Sequence, residues 1–246
     1  MSTLIRTELL ALRTTRLPRA LLAGPVLLTT VLAVNAVLDA GRNGAPSIGT
    51  AGAMLAVLDA TGTGRLVILL LGVLAVTAEF RHGTLTATFL HTPRRIRVLT
   101  AKAAAIVVVA GVAAAAALTA ALAIGLATSA LPPALLNPDV VLHVAGLLLA
   151  YPLYGVIGVA AGALIMYQPV AVLLPLAWVL YLENFTLSLA PDTAAPWSLN
   201  GVTAALAHSG TVSDVLPMAV GGTVLTSYTL LLFSLGAARL TRCDIT

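Results

Sequence analysis

Glu79, Arg81 and His82 stand within four residues of one another in EFRHGT, directly after the uncharged run LVILLLGVLAVTA. An acid, a guanidinium and an imidazole at that spacing can pair, titrate or hold a partner, and they sit where an apolar helix meets water. Glu79 is expected to pair with Arg81 or a neighbouring basic group at that boundary, not to relay protons. Gly83 can end the incoming helix, and Thr84 can cap a short new one, LTATFLH, which carries Phe89. Thr92 can cap the next, with Pro93 at its first position, where a missing N–H costs nothing. Arg94, Arg95 and Arg97 follow. The pattern predicts a two-turn helix held between two breaks. It reads either as a membrane-exit turn with basic anchors or as a docking helix for a partner.

Other chemistry-bearing patterns are absent. The sequence contains no G-x-x-x-x-G-K-[ST] and no Gly-Lys pair, so it does not cradle nucleotide phosphates in that manner. His82, His91, His143 and His208 are scattered over loops and span ends without an H-E-x-x-H, and no metal centre is expected. No G-x-S-x-G elbow supports a hydrolase. The single cysteine, Cys243, forms no internal disulfide.

Polar groups inside apolar runs are costly and therefore candidates for a substrate pathway. Glu183 lies fourteen residues beyond Pro169, roughly 20 Å along a helix at about 1.5 Å per residue. It is expected to line or gate a pathway, or to cap the segment that follows; Asn184 beside it and Asn35 in the first apolar run join it as pathway candidates. Gly155, Gly158 and Gly162 form a small-residue face, expected to pack within the bundle more than across a dimer.

These residues hang on a strongly apolar frame: 59% of the chain is hydrophobic and 9% charged, against about half and a quarter in soluble domains. Six uncharged runs approach the length needed to cross a ~30 Å core, at about 20–38, 64–79, 102–131, 140–165, 169–190 and 215–238. The expected fold is therefore an all-α membrane domain of six transmembrane helices over residues 1–246, led by an interfacial segment at 1–19. The second run starts at Arg65, whose side chain is expected to snorkel outward. Residues 191–214 are expected to form a re-entrant or interfacial piece anchored by Trp197.

Six spans put both termini on one side. Arg6, Arg13, Arg16, Arg19, Arg81, Arg94, Arg95, Arg97, Lys102, Arg239 and Arg242, eleven of the thirteen basic residues, then share one face, with Arg42 and Arg65 on the other. That face is expected to be cytoplasmic. A cleaved signal peptide fits less well, because Gly24-Pro25 breaks the first apolar run. The basic residues flank apolar runs instead of lining a compact domain, which argues against nucleic acid as a partner.

The stretch EFRHGTLTATFLHTPRRIRVLTAK resembles the inner loop of type-2 permeases of ATP-binding-cassette (ABC) exporters, where E-[FY]-R-x-G-T precedes a Thr-Pro break, an arginine cluster and a lysine opening the third span. RTELLALRTTRLPRALL is similar to the lead-in of actinobacterial members, although Ala11 stands where lysine is frequent, and RLTRCDIT is similar to their tail. The resemblance implies a bacterial plasma-membrane half-transporter that pairs with a second copy or a homologue. It implies two separate ATPase subunits that bind ATP and Mg, with no cofactor on this chain. Glu79, Arg81, Gly83 and Thr84 match the motif position by position; Phe89, Pro93, Arg94 and Arg95 continue the coupling region that would fit a groove on the ATPase. The expected function is outward movement of a hydrophobic or amphipathic compound by alternating access, without catalysis by this chain. A non-transporting scaffold or sensor that recruits a cytoplasmic partner is the rival. An ion-coupled transporter predicts several intramembrane acids, and Glu183 alone is read at depth.

Overall fold

The computed structural model describes residues 2–14, 16–42, 44–82, 95–128, 137–183, 185, 188, 194–207 and 216–242. Regular structure among the described residues is entirely helical: α1 Ser2–Thr14, α2 Arg16–Asp39, α3 Ala51–Thr63, α4 Arg65–His82 and α5 Arg95–Thr128. They are followed by α6 Pro138–Ile165, α7 Gln168–Ala177 with a π-helical turn Trp178–Leu182, a 3₁₀ turn Ala195–Trp197, α8 Leu199–Leu206 and α9 Met218–Arg242.

Among the described residues four stretches are long and apolar enough to cross a membrane: Ala51–Arg81, which joins α3 to α4, then α5, α6 and α9. Ala23–Asp39 and Gln168–Leu182 are shorter apolar helices. Leu27, Val31, Val112, Leu149, Tyr181 and Leu231 point outward from the bundle, more than half exposed. An outward surface of this kind is compatible with hydrocarbon as its solvent.

Four boundaries differ from the sequence expectation. Residues 51–63, left outside the expected spans, are helical: the Thr50 hydroxyl accepts the Ala53 N–H at 3.2 Å as a cap, and Gly64 keeps right-handed helical angles, so α3 leads into α4 with a one-residue break. The third apolar helix begins at Arg95, not Lys102, because charges limit where hydrocarbon can lie but not where a helix can start. The fifth leaves α-helical geometry after Ala177 and passes through a π-helical turn at Trp178–Leu182. In the last, Pro217 is not helical and α9 runs from Met218 to Arg242. The expected helix LTATFLH and its caps lie outside the described residues.

α6 is the central element, packed against α3, α4, α5, α7, α8 and α9. Its closest neighbour is α4, and the small-residue face explains why. A Cβ on Gly158 would collide with the Leu69 carbonyl, one on Gly72 with the Gly155 carbonyl, and one on Gly162 would meet the Val73 carbonyl oxygen at 2.9 Å. The backbones touch, as small residues allow in apolar surroundings. The expected packing role of Gly155, Gly158 and Gly162 is thus internal to the bundle. Alanines do similar work on α5, where Ala110, Ala114, Ala117 and Ala121 are buried while Val108, Val112 and Ala116 face out.

Gly158→Val is expected to destabilise the fold by at least about 1–3 kcal/mol, since the obstruction is backbone and cannot rotate away. Gly111→Ala, at a glycine with open space around it, is expected to be neutral or stabilising by up to about 1 kcal/mol. Thermal unfolding of the two purified variants in one detergent checks both.

Candidate functional site

The described polar groups gather at two levels. At one end Lys102 of α5 is almost fully buried, 4% exposed, although it lies two turns inside its helix. Its Nζ reaches Glu8 of α1 at 3.0 Å from Oε1 and 2.9 Å from Oε2, and also Oε1 of Glu79 on α4. An ammonium has three donors, and two carboxylates occupy them. Glu79 therefore pairs with a neighbouring basic group and not with Arg81. Arg81 is exposed, and its Nη1 meets Gln168 Oε1 of α7 at 3.4 Å. Arg95 Nη1 donates to the Leu240 carbonyl at 3.0 Å, tying the start of α5 to the last turn of α9, where a cation is favoured by the helix dipole.

Burial pushes the Glu8 carboxyl above its ordinary value; Lys102 pulls it back, and Glu79 adds to the rise. Folding thus favours the protonated form of Glu8. Its contribution to stability is fullest below the unfolded value and is lost as pH rises through the folded one. The pair is better understood as fixing where α1 sits than as a net source of stability. Gly83, Thr84, Phe89, Pro93 and Arg94 lie outside the described residues. Glu79 and Arg81 on one side and Arg95 on the other bracket that segment.

At the second level Glu183 is 3% exposed and sits at the end of the π-turn. The Glu183 N–H donates to the Trp178 carbonyl, five residues back, which withdraws the donor that a regular helix would give to Val179. Asn200, at the second position of α8, fills that gap with Nδ2 at 2.9 Å from the Val179 carbonyl. The same Nδ2 lies 3.1 Å from Glu183 Oε2, and the Asn200 backbone N–H donates to Glu183 Oε1 at 2.7 Å. Glu183 is thereby a cap for α8, satisfying an orphan N–H at a helix start.

Asn200 also joins Glu183 to Arg65. Its Oδ1 accepts from Arg65 Nη2 at 3.3 Å, while Arg65 Nη1 donates to the Gly62 carbonyl at 2.7 Å. The guanidinium lies 5.1 Å from the Tyr154 ring centroid, within cation–π range. Arg65 therefore turns into the bundle, contrary to the expected snorkelling, because an acceptor chain and an aromatic face receive it there. Nearby, fully buried His143 of α6 stands 3.4 Å from Asp59 of α3, Nε2 to Oδ1. Asn184 lies outside the described residues. Asn35 is exposed on α2 and does not border the cleft beside Glu183.

Glu8, Asp59, Asn200 and the inward turn of Arg65 were not legible as site features. A signal existed for two of them. A lysine followed by AAAIVVVA needs a counter-charge, and an asparagine just after a Ser198 cap stands where orphan N–H groups collect.

No family model matches the chain, and no curated protein matches it significantly. Its functional reading rests on its own residues.

Lys102→Met leaves two carboxylates facing one another without their cation, and is expected to cost about 3–5 kcal/mol. Adding Glu8→Gln and Glu79→Gln to it is expected to restore most of the loss, because the three groups form one coupled set. Thermal or chemical unfolding of the single and triple variants is the measurement.

Proposed function

We infer that the chain is the transmembrane permease subunit of an ATP-driven exporter of the ABC type. In this reading α2, α3 with α4, α5, α6, α7 and α9 cross the membrane, both termini are cytoplasmic, and 79–101 is the coupling region that meets the ATPase. ATP and Mg belong to that partner, and a second permease copy or homologue completes the complex. The cargo is a hydrophobic or amphipathic compound moved outward by alternating access.

The observation that carries this reading is the Lys102 hub. It joins α1, α4 and α5 where 83–94 connects α4 to α5, so a displacement of that connection is delivered to three helices at once. The eleven basic residues that share this face under a six-span topology agree with a cytoplasmic position. The Arg81–Gln168 contact extends the same level to α7. The motif E-F-R-x-G-T, with Glu79 and Arg81 at its start, supports coupling because its acid is the one that Lys102 holds.

Purification from native membranes is expected to bring down a Walker-type ATPase whose hydrolysis is stimulated by substrate. Replacing Thr84, Phe89 and Arg94 together is expected to abolish the stimulation while leaving the permease folded. Stimulation that survives the triple replacement overturns the coupling role. A monomeric chain without ATPase overturns the exporter and leaves the scaffold reading, and labelling of Arg94→Cys from outside the cell overturns the topology.

A further inference from the structure

Beside Glu183 the structure holds a cleft of about 860 Å³, open at the side and walled by α4, α6, α7 with its π-turn, α9 and the turn before α8. That volume is in the range of small-molecule sites. Leu69, Ile157, Ala161, Leu174 and Leu232 make its apolar surface, and Trp178, Trp197 and Tyr228 line it as well. Among its described lining residues Glu183 is the one acid and none is basic. Its geometry is held, not incidental. The π-turn ends on Glu183, Asn200 fixes the carboxylate through both oxygens, and the Tyr228 hydroxyl donates to the Trp197 carbonyl at 3.0 Å. Single π-turns inside helices frequently mark functional sites.

We propose that this cleft binds a lipophilic organic cation, an apolar body carrying a protonated amine, with the body against the α6 and α9 walls and the amine at the Glu183 and tryptophan end. Three features converge on that chemistry. The described lining carries a carboxylate and no basic side chain, Arg65 bonding to the other end of the Asn200 amide outside that lining, so the face turned to the cleft complements positive charge. Aromatic rings attract an ammonium through their faces. The cleft opens sideways, where Trp178 and Leu231 are exposed on the outward surface, so an apolar compound enters from the lipid. A lipid acyl chain would fill the apolar part but bring nothing to Glu183. The proposal names the cargo class of the exporter inferred above and rests on that reading for the direction of movement; binding itself is separable.

The chain has two tryptophans, and both line this cleft, so all of its tryptophan emission reports on the site. The full chain in nanodiscs of zwitterionic lipid, without ATP or ATPase, is titrated at pH 7 with a rigid tricyclic tertiary amine and with its uncharged carbon isostere, empty nanodiscs correcting for partition. The amine is expected to change the emission saturably and to bind about tenfold or more tightly than the isostere. Glu183→Gln is expected to remove most of that preference while the isostere's affinity is unchanged. Because Glu183→Gln also touches the α8 cap, Ala161→Phe supplies a second arm: it obstructs the cleft away from Glu183 and is expected to weaken both ligands. Equal binding of amine and isostere overturns the proposal. So does a preference that survives Glu183→Gln, or binding indifferent to Ala161→Phe. None of these outcomes bears on ATPase association, so the cargo class and the exporter reading fail separately.

Discussion

The approach of α4 to α6 is the constraint from which the remaining arrangement follows. Inside an apolar solvent, burying leucine against leucine gains little over leaving it in lipid, and helix association relies on close packing and internal hydrogen bonds. Gly72, Gly158 and Gly162 let two backbones meet, with carbonyl groups of one helix lying where side chains of the other would be. Once α4 is fixed on α6, Arg65 at its start faces Tyr154 and Asn200, and Glu79 near its end faces Lys102. The two polar levels are thus held apart by one rigid contact. A shift of α4 against α6 would disturb both.

The two levels solve the same problem by different means. A charge removed from water needs compensation that an apolar wall does not provide. At Lys102 the compensation is direct, one ammonium between two carboxylates contributed by separate helices. At Arg65 and Glu183 the compensation runs through an amide. A neutral asparagine stands between them and bonds to each. The carboxylate held in this way also borders the cleft.

Legibility from sequence followed the physics of each feature. Apolar runs disclosed α5, α6 and α9 and the apolar portions of α2 and α7, because exclusion of charge from hydrocarbon is a local property of the chain. Helix ends were legible only where charge and helix end coincide. Arg95 and Arg97 are charged and helical, so counting uncharged residues cut α5 short. AGAMLAVLDATGT was passed over because its glycines and Asp59 resemble loop composition, whereas its N-cap at Thr50 and a right-handed Gly64 keep it helical. Glu79 was legible as the partner of a basic group. Glu8 was not, since 94 residues separate it from Lys102 and no local pattern encodes such a meeting. The same holds for Glu183 and Asn200, 17 residues apart across a change of chain direction.

The π-turn explains why irregular backbone sits where it does. In hydrocarbon an unpaired carbonyl costs several kcal/mol, so departures from α-helix persist only where protein or water supplies the missing bond. Pro175 already interrupts the ladder of α7, and the extra residue in the turn frees the Val179 carbonyl. The Asn200 side chain supplies that bond while its backbone N–H bonds the Glu183 carboxylate. The π-turn, the buried acid and the seating of α8 are therefore one structure and not three: without Asn200 the carbonyl is orphaned, without the turn Glu183 is aimed elsewhere, and without Glu183 the first turn of α8 loses an acceptor. Such mutual dependence fixes the carboxylate in place at the rim of the apolar cleft, where under the proposal it would distinguish a charged ligand from an uncharged one because it cannot swing away to water.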